Sequence, residues 1–143
     1  MSQYLTSSPK ETENLGKDLA QKIIGKKTII GLIGELGGGK TTFIKGLAKG
    51  LGIKAKILSP SFVIYRRYKT KKNGDFYHFD CYRTKGEKEL LALNFKDVIF
   101  LPGIIVAIEW AGRIKKIMPK NTLWIIFEHI DKKKRKISIW ENV

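Results

Sequence analysis

One string constrains this chain more than any other: Gly34-Glu35-Leu36-Gly37-Gly38-Gly39-Lys40-Thr41. It meets the pattern G-x-x-x-x-G-K-[ST] in full; an apolar stretch (IIGLI) leads into it and an amphipathic one (TTFIKGLAKGL) leads out. The spacing has a chemical reason. Glycines let backbone N–H groups converge on phosphate oxygens in conformations that a side chain would block. The start of the following helix adds the positive end of its dipole. Lys40 can then reach the β- and γ-phosphates, and the Thr41 hydroxyl can join a Mg2+ shell. Strand, glycine-rich turn and helix in that order predict a nucleoside-triphosphate site.

The remaining residues fit a single domain spanning 1–143. With 143 residues and 43% hydrophobic content, the chain has enough apolar surface for one core. The first predicted element is a helix: Ser8 caps it, Pro9 suits its first turn and Glu11 completes a capping box. Leu15, Leu19 and Ile23 recur on one face, and Gly25 stops the helix. A buried strand is expected at 28–33 and a helix at 40–51. Segments 62–68 and 76–80 read as an antiparallel hairpin around Asn73-Gly74. Residues 87–93 read as a short helix that 96–100 continue, and 104–108 as a strand covered on both faces. Late strands are expected at 123–127 and 137–140, separated by the turn-like DKKKRK. The fold class is α/β: a P-loop NTPase fold with a mixed, mostly parallel central sheet flanked by helices, plus an antiparallel hairpin.

Composition narrows the setting. No apolar run approaches the roughly 18–20 residues of a membrane span, and the polar start lacks the features of a signal peptide. Cys81 is the only cysteine, which excludes an internal disulfide framework and a cysteine zinc cage. A soluble, cytoplasmic protein without membrane association is the expectation. The net charge of +15 attracts phosphate backbones, but it comes from 23 Lys and only 5 Arg. Lys and the 20 Ile share A/T-rich codons, so genome composition competes with RNA contact as its origin.

A phosphate loop also needs a carboxylate to organise Mg2+. Glu109 follows IIVAI and Asp80 follows FYHF, both at strand ends. The residues alone leave open which touches metal and which organises water. His78 shares a strand face with Asp80 and reads as a satisfied structural histidine before a phosphate or partner contact, and Cys81 as a small buried hydrophobe. Arg83 suits phosphate contact and structural pairing equally. The absence of N-K-x-D, and of D-x-x-G after an apolar strand, disfavours a GTPase. Five Arg leave little for the arginine-rich lid of a small-molecule kinase.

Several motifs in order carry a resemblance: GELGGGKTTFIKGLAKGLG, then SPSF at residues 59–62, HFDCYR at 78–83, GEKELLALNF, and IEW at 108–110. From about Thr12 to Glu109 the chain resembles the TsaE (YjeE) family, small P-loop ATPases of tRNA threonylcarbamoyladenosine synthesis. It departs from the usual pattern at Gly38, Ser61, Cys81 and Asn94. The resemblance implies Mg2+-dependent hydrolysis of ATP to ADP and phosphate, slow without partners. It further implies action with the TsaB–TsaD complex, and contact with tRNA only through that complex. It implies phosphate contact by Lys40, Mg2+ binding by Thr41 and Glu109, and Asp80 as the catalytic acid that organises water. Nucleotide contacts would come from Glu35, Leu36, Gly37, Gly38, Gly39, Thr41 and Thr42, with Ser59 and Ser61 in a switch-like loop. Trp110 would lie beside the site, and Thr12 and Arg135 would approach the nucleotide. The alternatives are an independent small-molecule kinase and a basic RNA-binding module regulated by ATP.

Overall fold

A computed structural model of the chain describes residues 1–35, 39–58, 64–72 and 74–141. Its strands are β1 (Ser2–Thr6), β2 (Thr28–Gly34), β3 (Tyr65–Lys69), β4 (Asp75–Asp80), β5 (Ile105–Glu109), β6 (Leu123–His129) and β7 (Arg135–Glu141). They form one sheet in the order β1-β7-β6-β2-β5-β4-β3. The central strands β6, β2, β5 and β4 run parallel. Antiparallel pairs finish both sides: β3 on β4, β7 on β6 and β1 on β7. The parallel strands are the most apolar because helices cover both of their faces. All five residues of β5 are buried.

Helices α1 (Pro9–Ile23) and α2 (Lys40–Gly50) cover one face. Their core joins Phe43, Ile44 and Leu47 to Ile30 and Leu32 of β2 and Ala107 of β5. Ser8 caps α1 as its sequence requires, with its Oγ accepting from the Glu11 N–H at 3.2 Å. The Glu11 carboxylate in turn accepts from the Ser7 N–H, one residue before the cap. The two helices approach closely: a Cβ on Gly46 would stand 1.9 Å from the Glu13 carbonyl oxygen. The other face carries α3 (Glu87–Ala92), α4 (Phe95–Ile99) and a 3-10 helix (Ala111–Ile117), packed around Phe79, Phe95 and Ile108. Full burial of a side chain of that size is worth roughly 1.5–3 kcal/mol.

Three expectations are corrected. The chain opens with a strand, β1, not with a helix; its register on β7 buries Thr6. Residues 96–100 do not continue α3, because Asn94 turns left-handed at φ 60° and a separate helix, α4, starts after it. Only 130–134 form the turn between β6 and β7, since Arg135 and Lys136 of DKKKRK already belong to β7. The first hairpin strand is described from Tyr65, while its expected start at Phe62 lies outside the described residues. Among the described residues no helix is long and apolar enough to cross a membrane.

Candidate active site

The parallel strands β2, β5 and β4 end on one side of the sheet, where neighbours in sequence and neighbours across strands converge. Gly39 sits at φ 99°, ψ 4° just before α2, a conformation glycine adopts without steric cost. Among the described residues no side chain caps α2 and no acid stands in its first turn, which suits its N–H groups and dipole to an anion. Thr12 of α1 flanks this end of the loop; its methyl lies 3.4 Å from where a Cβ on Gly39 would be. The Thr12 hydroxyl is buried against that of Thr6, at 2.7 Å.

Lys40, the first residue of α2, is 5% exposed. Its Nζ donates to the carbonyls of Gly34 and Glu35, the latter at 3.1 Å, and stands 4.1 Å from the centre of the Trp110 ring. Burial lowers the ammonium pKa, while Glu109, Asp80 and Glu35 oppose that shift. Trp110 presents its indole from a left-handed backbone, φ 58°, directly after β5.

Asp80 and Glu109 are register partners on β4 and β5 and therefore share a sheet face. Thr41 Oγ1 donates toward Glu109 Oε1 at 3.4 Å, and His78 Nε2 donates to Glu109 Oε2 at 2.7 Å. Asp80 Oδ1 accepts from the Tyr82 N–H at 3.0 Å. Burial raises the Asp80 carboxyl pKa, and the Glu109 charge adds to this against the pull of the Tyr82 N–H, His78 and Lys40. The Thr41 hydroxyl and Glu109 carboxylate are hard oxygen donors, the chemistry that suits Mg2+. Among the described residues no cluster of three or more His, Cys, Asp or Glu could hold a metal alone. Such a thin protein shell fits an ion that shares its ligands with substrate phosphates.

A cavity of about 520 Å³ opens beside the loop, bounded by Ile33, Glu35, Trp110, Arg113, Ile126 and Glu128. Ile33 and Ile126 alternate with Leu32 and Ile125, which face α2, so the cavity lies on the opposite sheet face.

Among the sequence-predicted residues, the structure brings Gly39, Lys40, Thr41, Asp80, Glu109 and Trp110 together, with Thr12 alongside. Thr42 is half-buried on the first turn of α2, and the side chain of Glu35 is exposed. Arg135 opens β7, and its Nη1 donates to the carbonyls of Asp131, Lys132 and Lys134 in its own hairpin. Leu36, Gly37, Gly38, Ser59 and Ser61 lie outside the described residues. Sequence reasoning missed the partnership of His78 with Glu109. The signal available was the spacing His78-x-Asp80, read for the strand face but not for its neighbour across the sheet.

The sequence profile described as "Threonylcarbamoyl adenosine biosynthesis protein TsaE" matches residues 6–137. A protein of Rickettsia felis named tRNA threonylcarbamoyladenosine biosynthesis protein TsaE is 35% identical over 139 residues, spanning 96% of this chain and 79% of its own. The protein of that name from Bacillus subtilis is 35% identical over 137 residues, spanning 94% of this chain and 82% of its own. The crystal structure of YdiB from Bacillus subtilis superposes with a TM-score of 0.78 at 29% identity, covering 99% of this chain and 86% of that one.

Proposed function

Since the chain belongs to the TsaE family, we propose that it serves the threonylcarbamoyladenosine modification of tRNA as a Mg2+-dependent ATPase acting with the TsaB–TsaD pair. The observation that carries this reading is the meeting of Lys40, Thr41, Asp80 and Glu109 beside the uncapped start of α2.

The N–H groups at the start of α2 bind phosphate oxygens. Lys40 leaves the Gly34 and Glu35 carbonyls and places its ammonium on the β- and γ-phosphates. Thr41 and Glu109 would hold Mg2+, which when bound supplies neutralisation of the phosphate charge. Asp80, made more basic by burial, orients a water molecule for in-line attack on the γ-phosphorus and accepts its proton. Beyond this proton transfer the protein contributes positioning and charge stabilisation, and partner binding completes the site.

Phosphate release from ATP and GTP, measured with and without TsaB–TsaD, tests this reading. Release is expected to be slow alone, to rise strongly with the pair and to favour ATP. Lys40→Ala and Glu109→Gln should each lower the stimulated rate by about 10²-fold or more. Release that ignores the pair, or wild-type turnover in Lys40→Ala, would count against it. The cavity beside Glu35 favours one second reading, a kinase whose acceptor sits there. That reading requires ATP consumption to depend on a small acceptor instead of a protein.

A further inference from the structure

His78 is fully buried, yet among the described residues only one of its two ring nitrogens has a partner. Nε2 lies 2.7 Å from Glu109 Oε2, while Nδ1 is buried without a hydrogen-bond partner among the described residues. A carboxylate only accepts, so Nε2 is the side of the ring that donates to Glu109. A histidine kept only to fill space would be better replaced by a hydrocarbon, because the orphan nitrogen costs desolvation and returns nothing. The polar work of this ring is directed at Glu109.

The sheet register explains how it reaches. His78 opposes Ala107, and Glu109 lies two residues further along the same face. The small Ala107 leaves room for the imidazole to lean toward the carboxylate. Phe76, two residues earlier on β4, lies nearly parallel to the imidazole, with ring centres 6.5 Å apart. The terminal torsion of a glutamate is broad and roughly two-fold, so an unheld carboxylate samples many orientations. With Oε2 taken by His78, Oε1 is the oxygen turned toward Thr41.

We infer that His78 is a positioning residue that locks the Glu109 carboxylate in the orientation needed to bind a divalent cation beside Thr41. This rests on the proposed Mg2+ role of Glu109. Partners of this kind typically account for 10–100-fold in metal affinity.

The test is Mn2+ binding, followed by electron paramagnetic resonance, to the full chain loaded with ADP. Glutamine places an N–H close to the position of His Nε2, whereas asparagine ends near Nδ1 and falls short of Glu109. His78→Asn is therefore expected to weaken Mn2+ binding 10–100-fold. His78→Gln should stay within about 3-fold of wild type, and metal-free ADP affinity should be unchanged in both. Should His78→Asn fail to fold, His78→Phe supplies the variant without a donor. Two outcomes overturn the inference: wild-type Mn2+ affinity in a folded variant lacking the donor, or equal losses in the Gln and Asn variants. The underlying reading is separated by Glu109→Gln. Unchanged Mn2+ affinity there removes the metal role of Glu109 and this role of His78 with it. A loss in Glu109→Gln beside wild-type affinity in His78→Asn removes the His78 role alone.

Discussion

At Asp80, stability and the proposed chemistry pull in opposite directions. Burial raises the carboxyl pKa, so the folded chain binds that proton more tightly than the unfolded chain does. The sign follows: folding is helped while Asp80 is protonated, and this help is lost as pH rises through the folded-state value. Asp80→Asn mimics the protonated form and keeps an oxygen for the Tyr82 N–H. Its melting temperature should exceed wild type at neutral pH, and the gap should close as pH falls below the ordinary carboxylate range. The same variant should hydrolyse ATP far more slowly while binding nucleotide nearly as well. A variant that is less stable at neutral pH, or loses binding and turnover equally, would mark Asp80 as a structural residue.

Among the elements, α1 and α2 meet with almost no space between their backbones. A methyl on Gly46 would strike the Glu13 carbonyl at 1.9 Å, and main chain cannot swing aside as a side-chain tip would. Gly46→Ala should cost about 3 kcal/mol in overpacking, against the roughly 1 kcal/mol that alanine gains in helix propensity. Calorimetry should find the melting temperature lowered by several degrees. Gly112→Ala, with nothing within 4 Å of its Cβ, should not lower it. What was legible in the sequence follows from how far each signal reaches. The strand and helix flanking the glycine-rich segment and the Ser8 cap were legible because their signals lie in consecutive residues. The break at Asn94 was not, since a left-handed residue inside a helix-forming stretch is settled by the packing of Phe95 and Leu90 against the sheet. Strand β1 has only five residues and depends on β7 for its pairing. The His78–Glu109 bond joins strands 31 positions apart and depends on register, which one strand's pattern does not encode.

For the molecule as a whole, 13 carboxylates cannot pair 28 cations. The surplus opposes compaction, and salt should relieve it. The melting temperature in NaCl should rise as the Debye length contracts from about 10 Å at 0.1 M to 3 Å at 1 M. A flat or falling profile would mean that the charges are already far enough apart to ignore one another. The pairing of β1 with β7 bears on time as well as on shape. Residues 2–6 leave the ribosome long before 135–139 and find their partner only once those have been made. Thr6 sets Thr12, and Thr12 flanks Gly39, so this side of the turn before α2 is finished only after β7 has been made. Under the proposed function, a nascent chain that already carries the whole glycine-rich segment still lacks the Thr6–Thr12 flank of its nucleotide site.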